Sequence, residues 1–307
     1  MLPFTLQQLR ILKAVATEKN FTKAAGLLYL SQPSLSKQIK TLEKNLDIVL
    51  INRENNKISL TENGKVFLNY SERILALCEE SCRALIDLKN GERGNLTVGA
   101  SQMIGTYLLP RVLALFVPNY PQITLKVQVN STRIIAKNII NRDIDLAIVG
   151  GEIPEKLRKN LIVEHFVEDE FSLIIPKSHP FSSKKQIAKE DLYYLNFITL
   201  NSNSTLQKFI DNILSQNQIE TKQLKIILQL NSIEGIKTAV SLGLGAAFVS
   251  SSAIKKEIEL KTIEILKIKN IRITRPLSII SNPECYKSKA FQFFYKELFQ
   301  LKNNLEN

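Results

Sequence analysis

The chain has 307 residues, of which 44% are hydrophobic and 23% charged, and its formal net charge at pH 7 is +12. That length is enough for two or three domains with their own hydrophobic cores. No apolar run approaches the length of about 20 residues that spans a bilayer, and the N-terminal sequence predicts neither a signal peptide nor a transit peptide. We therefore expect no membrane partner. Three cysteines and two histidines are too few for a disulfide framework or a typical zinc site, so we expect no metal and no cofactor.

Residues 21–46 predict two helices joined by a tight turn. Ser31 is a favoured N-cap and Pro33 is tolerated in the first turn of a helix, so a helix begins there. Its apolar residues recur at helical spacing, in the order Leu35, Ile39, Leu42 and Leu46. The preceding segment contains the adjacent pair Ala24 and Ala25, which are small enough to let another helix cross closely. This pattern is typical of a helix-turn-helix that docks on DNA.

The polar side of the second helix carries candidate DNA contacts. Helix-turn-helix proteins present the N-terminal part of this helix to base edges in the major groove, so Gln32 and Ser36 are the candidate base readers. The full predicted DNA-binding set is Thr22, Lys23, Gln32, Pro33, Ser34, Ser36, Lys37, Lys40, Arg53 and Lys57. The alternative is that these lysines form a solvated helix face. Charge favours DNA, because residues 1–57 hold nine Lys or Arg against four Asp or Glu, whereas the remaining 250 residues hold 32 against 25.

Two short apolar runs follow this helix. Ile48–Leu50 and Ile58–Leu60 predict strands around the polar loop 52–57. We interpret the loop as a wing that can place Arg53 or Lys57 near the DNA backbone. A plain hairpin loop is the alternative.

A long helix is predicted from Thr61, its N-cap, to about Lys89. Its main apolar stripe has heptad spacing and consists of Phe67, Tyr70, Ile74, Leu77, Ser81, Ala84 and Leu88. A weaker stripe beside it consists of Leu68, Leu75, Cys78, Cys82 and Leu85. Together these stripes make an apolar face too broad for the small winged domain to cover alone.

Beyond the polar, glycine-punctuated stretch 90–94, the hydrophobic period changes from helical to strand-like. Short runs rich in branched apolar residues then alternate with helical stretches. These runs are 96–101, 123–129, 144–149, 171–175, 197–200, 226–230 and 246–249. The alternation predicts parallel sheets covered by helices on both faces.

Polar turns follow three of these strands, at residues 101–103, 130–132 and 201–205. Open α/β sheets bind ligands outside the carboxyl ends of their strands, where helix N-termini supply free amides. The alternative is that the turns are ordinary helix caps, because Ser, Thr and Asn are favoured caps in any α/β protein.

These features together resemble the LysR-type bacterial transcriptional regulators. The residues that carry the resemblance are Phe21, Thr22, Ala24, Ala25, Ser31, Gln32, Pro33, Ser36, Leu42, Glu43, Leu50, Arg53, Leu60, Thr61 and Gly64. Asp47 departs from the family pattern, which usually has glycine there, and Ile51 stands where Phe is usual. Both departures concern turn geometry and packing and lie off the predicted base-reading surface.

The resemblance implies an α+β multidomain protein: a winged helix-turn-helix at 1–60, a linker helix that pairs two subunits at 61–90, and an effector domain at 91–307. The effector domain would have two α/β lobes like a periplasmic binding protein, with lobe one at 95–163 and 266–307 and lobe two at 164–265. The polar turns would contact the effector, and Phe248 and Val249 would line the cleft. The implied effector-binding set is Ser101, Gln102, Met103, Asn130, Ser131, Thr132, Asn201, Ser202, Phe248 and Val249.

The partners implied by the resemblance are double-stranded promoter DNA, a second copy of the chain in a homodimer or homotetramer, a small-molecule effector and RNA polymerase. The similarity is closest to plastid-encoded members of the family associated with the RuBisCO operon, and it includes residues 73–80, 99–102 and 230–234. Such a protein would act in the chloroplast stroma and respond to a carbon-fixation metabolite. A regulator of another metabolic operon, or a bacterial cytoplasmic protein, is the alternative.

Two other classes of protein compete with this interpretation. The sequence has no nucleophile elbow, no phosphate-binding loop with its Lys and no His-rich metal spacing, so an enzyme is disfavoured. The stretch 243–247 lacks the third glycine of a dinucleotide fingerprint and follows a predicted helix, the reverse of the required order. A solute-binding protein would explain the lobes but not the first 90 residues, and it would need a signal peptide. We therefore expect a DNA-binding regulator and not an enzyme.

Overall fold

The structure, a computed structural model, describes residues 2–54, 57–90, 94–184 and 186–306. Its N-terminal unit consists of α1 (Leu6–Glu18), α2 (Phe21–Leu27), α3 (Gln32–Leu46), β1 (Ile51–Glu54) and β2 (Lys57–Leu60). Each helix begins at a polar cap, since side-chain oxygens of Thr5, Asn20 and Ser31 accept hydrogen bonds from first-turn backbone N–H groups. Leu35, Ile39 and Leu42 of α3 are fully buried in one core with the two alanines of α2. The predicted helix-turn-helix fold is confirmed.

The hairpin after α3 differs from the prediction. Strand β1 begins at Ile51, three residues later than predicted, and pairs antiparallel with β2. The cause is Glu43, whose Oε1 accepts hydrogen bonds from the backbone N–H groups of Leu50 at 2.8 Å and Ile51 at 3.1 Å. These bonds hold residues 48–50 as a loop against α3, so the predicted strand there is wrong.

The two departures from the family pattern are accommodated. Asp47 ends α3 with a left-handed φ of +52°, a conformation that Asp tolerates better than most non-glycine residues. Ile51 is 3% exposed and packs in the core of the N-terminal unit. The turn and the packing are therefore both intact although Asp47 and Ile51 replace the residues that are usual in the family.

Helix α4 (Glu62–Asn90) is the predicted long helix, about 43 Å in length. Thr61 caps it, because its Oγ1 accepts from the Gly64 N–H at 2.9 Å and donates to the Val49 carbonyl at 2.8 Å. A Cβ at position 64 would lie 2.1 Å from the Leu50 carbonyl oxygen, so only glycine fits. The N-terminal half of α4 therefore packs rigidly against the winged unit.

The C-terminal domain alternates strands and helices along much of its length. Its strands are β3 (Gly94–Ala100), β4 (Ile123–Val129), β5 (Leu146–Gly150), β6 (Ile162–Pro176), β7 (Gln186–Ile187), β8 (Asn196–Leu200), β9 (Lys225–Leu230), β10 (Ala247–Ser250), β11 (Ile263–Ile268) and β12 (Ile273–Ser281). Its α-helices are α5 (Leu109–Asn119), α6 (Thr132–Ile140), α7 (Glu155–Arg158), α8 (Thr205–Gln216), α9 (Ile233–Ser241), α10 (Lys255–Glu259) and α11 (Lys289–Glu306). A π-helix, Ile104–Leu108, precedes α5.

The sheets are mixed. Eight strands form one sheet in the order β4-β3-β5-β12-β6-β11-β7, with β10 also paired to β6, and β8 and β9 form a separate pair. Strands β3, β4 and β5 run parallel, as do β8 and β9. The expectation of parallel sheets alone is wrong, because β10, β11 and β12 run antiparallel to β6. The apolar pattern predicted only the second half of β6, because the first half contains charged residues from Glu164 to Glu170.

Strands β6 and β12 pass from one lobe to the other. Phe166 of β6 belongs to the core of lobe one, whereas Phe171 belongs to the core of lobe two. On β12, Ile273 lies in the core of lobe two and Leu277 in that of lobe one. The two-lobed fold is confirmed. We propose that the lobe boundaries fall at this crossing, which lies a few residues later than predicted in β6 and, on the return, in β12 instead of in β11.

Candidate DNA-binding surface and interlobe cavity

The N-terminal end of α3 forms an exposed polar surface. Gln32, Pro33 and Ser34 are exposed in its first turn, and Ser36 is half-buried just beyond them. Two lysines one turn apart, Lys37 and Lys40, follow on the exposed side. Residues 31–41 contain no carboxylate, so this part of the helix carries positive charge alone.

Thr22 and Lys23 are exposed in the first turn of α2. Arg53 and Lys57 lie in the hairpin, where Arg53 pairs with Ile58 across the strands. The side chains of Arg53 and Lys57, and the hairpin tip at residues 55 and 56, lie outside the described residues. Contact of these two side chains with DNA stays a prediction.

A cavity of about 260 Å³ lies between the two lobes. It is lined by Ser101, Gln102, Met103, Thr106, Tyr107, Ser131, Thr132, Gly150, Leu200, Ser204, Thr205, Leu206, Asn231, Ser232, Ile233, Glu234 and Arg275. We call it the interlobe cavity. Five predicted residues, from the turns 101–103 and 131–132, line its lobe-one wall.

The other five predicted effector residues do not line the cavity. Asn130 and Ser202 are exposed to solvent, and Asn201 is half-buried in the turn after β8. Phe248 stacks on Phe197 with ring centroids 5.8 Å apart, and Val249 is fully buried in the core of lobe two. The expectation that Phe248 and Val249 line the cleft is corrected, because β10 pairs antiparallel with β6 and places both residues in that core.

The lobe-two wall instead comes from the first turns of α8 and α9. The Ser204 hydroxyl caps α8 by accepting from the Gln207 N–H at 3.4 Å, and Ser232 caps α9 by accepting from the Gly235 N–H at 3.3 Å. The polar turn at 201–205 predicted the first of these caps, but the residues of this turn that line the cavity are Ser204 and Thr205. The cap of α9 could also have been predicted from the sequence, because the polar pair Asn231-Ser232 directly follows β9.

Three helix N-termini, those of α6, α8 and α9, meet at the cavity. The unpaired amides of a helix N-terminus and the helix dipole favour an anion there. On lobe one, Thr132 Oγ1 donates to the Gly150 carbonyl at 3.0 Å, and Ser101 Oγ accepts from the Gly150 N–H at 3.2 Å. This arrangement suits a small ligand that carries phosphate or carboxylate groups and hydroxyls.

One buried cation lines the cavity at the lobe crossing. Arg275 is 6% exposed and its Nε and Nη2 donate to Asp169 Oδ2 at 3.0 and 2.9 Å. Its guanidinium also lies 5.1 Å from the Phe171 ring centroid. A Cβ at position 150 would lie 3.0 Å from Arg275 Cζ, so Gly150 lets the guanidinium approach the backbone.

A hydrogen bond joins the lobes across the cavity wall. Tyr107 of the π-helix donates to Glu234 of α9 at 2.6 Å. Burial and this bond raise the pKa of Tyr107. Burial alone would raise the pKa of Glu234, but hydrogen bonds from Tyr107 and Lys237 outweigh it and lower that pKa. Glu234 is therefore an anion already engaged by two donors.

Among the described residues, no group of three or more His, Cys, Asp or Glu side chains could hold a metal ion. Within the same residues, every helix is too short or too polar to cross a membrane.

Residues 6–65 match the family described as "Bacterial regulatory helix-turn-helix protein, lysR family", and residues 89–301 match "LysR substrate binding domain". The chain is 84% identical over 307 residues to the "Probable RuBisCO transcriptional regulator" of Phaeodactylum tricornutum, covering 100% of both chains. It is 72% identical over 304 residues to the protein of the same name from Trieres chinensis, covering 98% of each. Relatives so named also occur in Porphyra purpurea and Synechocystis.

A solved full-length OxyR from Pseudomonas aeruginosa has the same fold, with a TM-score of 0.74 at 22% identity, covering 96% of this chain and 94% of that one. The LysR family consists of regulators that bind DNA, form oligomers and bind small effectors, and it is not a family of enzymes. Both matched segments coincide with the units described above, the winged helix-turn-helix and the two-lobed domain with its cavity. The chain therefore belongs to the LysR family of DNA-binding transcriptional regulators.

Proposed function

We propose that this chain regulates the RuBisCO operon in the plastid stroma, and that a small anionic metabolite of carbon fixation controls it from the interlobe cavity. The observation that carries the effector part is the meeting of three helix N-termini at a cavity between two lobes. Support for the operon and the compartment comes from the relatives in Phaeodactylum tricornutum, Trieres chinensis, Porphyra purpurea and Synechocystis, each of which is named "Probable RuBisCO transcriptional regulator".

Contacts with DNA are assigned by exposure and chemistry. Gln32 and Ser36 read base edges, because they lie where a recognition helix enters the major groove and Gln pairs bidentately with adenine. Lys37 and Lys40 neutralise phosphates on the same helix, and Thr22 and Lys23 contact the backbone from α2. Pro33 and Ser34 contact the groove beside Gln32, and we assign Arg53 and Lys57 of the hairpin to the DNA backbone from their charge alone.

Dimerisation through α4 supplies the second DNA half-site. Val66, Tyr70 and Leu77 recur four and seven residues apart and are each more than half exposed, which is unusual for large apolar side chains on one face. The neighbouring residues Leu75 and Ala76 are buried within the chain, so they are not part of this face. A second copy that packs here gives a homodimer, and two dimers give the homotetramer.

The cavity favours a particular class of ligand. Asp169 neutralises Arg275, and Glu234 is held by Tyr107 and Lys237, so the remaining polar groups are helix amides and neutral side chains such as Gln102. These groups recognise phosphate or carboxylate oxygens together with hydroxyls. A volume of about 260 Å³ fits a sugar phosphate better than a dinucleotide.

A ligand held by both lobes shifts the regulator only if it binds two lobe arrangements with different affinity. The Tyr107–Glu234 bond already spans the lobes and marks the contact that closure would tighten. The closed form changes how the paired DNA-binding domains sit on the promoter, and thereby changes access of RNA polymerase.

The test is DNase I footprinting of the RuBisCO promoter with the full chain, with and without ribulose 1,5-bisphosphate or 3-phosphoglycerate. We expect protection of two half-sites and a change in its extent when one of these probes is added. Protection no stronger than that of random DNA would exclude the operon as the target. A footprint and a calorimetric titration both unaffected by either probe would exclude this class of effector.

A further inference from the structure

Two elements run from the interlobe cavity to one residue of the linker helix. Helix α6 begins with Thr132 at the cavity and ends about 13 Å away at its C-cap, Asn141. Strand β12 carries Arg275 at the cavity and ends at Ser281. The segments that follow these two elements both contact Glu80 of α4.

The contact at the end of α6 is made by Arg142. This residue has a left-handed φ of +66°, and its backbone N–H donates to the Ile139 carbonyl at 3.0 Å. An arginine held in this conformation is unusual and persists only when its surroundings stabilise it. Its side chain is 10% exposed, and its guanidinium is paired with the carboxylate of Glu80, whose side chain is 11% exposed.

The contact after β12 comes from the turn at 282–286. The backbone N–H of Tyr286 donates to Glu80 Oε1. The turn is tied to α6 as well, because Asn282 Nδ2 donates to the carbonyls of Ile139 and Ile140 at 3.5 Å. Glu80, the end of α6 and the end of β12 therefore form one connected cluster.

Helix α6 is held as a rigid element between these two points. Ile135, Ala136 and Ile139 are fully buried against the sheet of lobe one, so the helix moves with that lobe. Separating the buried Glu80 and Arg142 side chains would leave two unpaired charges out of water, which is strongly unfavourable. A displacement of α6 at the cavity should therefore move α4 as well, because breaking the Glu80–Arg142 pair costs more free energy than moving the linker helix.

We propose that Glu80 is a positioning residue that couples occupancy of the interlobe cavity to the orientation of the linker helix, and through it to the DNA-binding units. This inference rests on the proposed function, since it assigns the route by which the cavity acts. It predicts that the response to cavity occupancy passes through Glu80 and Arg142, and that nearby exposed charges do not contribute.

The first test needs no ligand. Thr132→Trp fills the cavity from the first turn of α6, and Ile134→Trp, on the same helix but 43% exposed and outside the cavity, is its matched control. Hydrogen exchange of the Tyr286 amide and of α4 around Glu80 is then compared with wild type by mass spectrometry. We expect at least a five-fold change in exchange rate for Thr132→Trp and none for Ile134→Trp. A folded Thr132→Trp protein with wild-type exchange in both segments would overturn the proposal.

The second test uses ribulose 1,5-bisphosphate and DNA. If wild type changes promoter affinity about five-fold or more on adding this probe, a typical size for allosteric coupling, Glu80→Gln should reduce the change to under about two-fold. Glu284→Gln is the control, because Glu284 lies 3.4 Å from the same guanidinium but is 72% exposed, and it should respond as wild type. A full response by Glu80→Gln would overturn the coupling and leave the proposed function intact. A shift in exchange for Thr132→Trp with no response to the probe would support the coupling and contradict the proposed effector.

Discussion

Asp169 and Arg275 are cross-strand partners on β6 and β12, and their buried side chains pair at the point where both strands pass between the lobes. Ser250 of β10 adds a further hydrogen bond to Asp169. The polar pair therefore joins three strands at the lobe crossing and places one cation at the wall of the interlobe cavity.

Removing one partner of this pair should destabilise the fold. Asp169→Asn leaves a buried guanidinium without its counter-ion, so the free energy of unfolding should fall by about 3–5 kcal/mol. The measurement is urea denaturation followed by circular dichroism. Glu170→Gln is the control, because Glu170 pairs with Arg272 at 2.9 Å on the surface and should cost less than about 1 kcal/mol. Equal losses in the two variants would contradict the importance of burial here.

The base-reading assignment predicts a selective loss. Gln32→Ala should weaken binding to the specific site by about 1–3 kcal/mol and leave binding to random DNA nearly unchanged. Lys37→Ala, on the same helix, should weaken both, and the slope of log affinity against log salt, which is negative, should become shallower by about one. Fluorescence anisotropy over a salt series measures both quantities. A uniform loss for Gln32→Ala would reassign it to the backbone.

The dimer assignment predicts that charge on the exposed face of α4 gives monomers. Tyr70→Asp with Leu77→Asp places two carboxylates on an apolar face and should abolish pairing, without opening the buried side that contains Leu75. Sedimentation of the full chain measures the mass, and two-half-site DNA should lose far more affinity than a single half-site. Glu79→Gln, exposed on the same helix, is the matched control. A dimeric double variant would exclude this face.

The cavity assignment predicts which polar turns matter. Thr132→Trp should abolish calorimetric binding of ribulose 1,5-bisphosphate, and Ser101→Ala should weaken it, because both residues line the interlobe cavity. Ser202→Ala should bind as wild type, since Ser202 is exposed and lies outside the cavity. If the Ser202 variant fails to bind while the other two bind normally, the ligand occupies another site.

Cys285 should be unreactive at neutral pH. Burial, and secondarily the nearby Glu80 carboxylate, raise its pKa to about 12. Because the pKa is raised, the thiolate is scarce below that value and increases with pH, so at pH 8 only about one thiol in ten thousand is ionised. Alkylation with iodoacetamide, located by mass spectrometry, should be at least about a hundred-fold slower at Cys285 in the folded chain than in urea. Similar rates in both states would contradict the raised pKa.

Local sequence determined much of the N-terminal half. Ser31 and Thr61 are helix caps whose signal lies within a few residues of the chain, and the stripe of Leu35, Ile39 and Leu42 has its own helical period. The polar turns at 101–103 and 131–132 were likewise predictable, because a strand followed by a capped helix places its turn at the end of the sheet.

Only the tertiary structure decided how distant segments meet. Strand β6 contains several charged residues, so its apolar pattern is interrupted, and its partners arrive from about a hundred residues later in the chain. The long-range pairing of β6 brings Arg275 to Asp169 and places Phe248 and Val249 in the core of lobe two, whereas the lobe-two wall of the cavity comes from Ser204 and Ser232 at the starts of α8 and α9. Glu80 and Arg142 are separated by 62 residues, and no local pattern relates them. Capping and periodicity act within a few residues, whereas strand order, lobe crossing and buried ion pairs depend on which surfaces pack together, and that is a property of the whole chain.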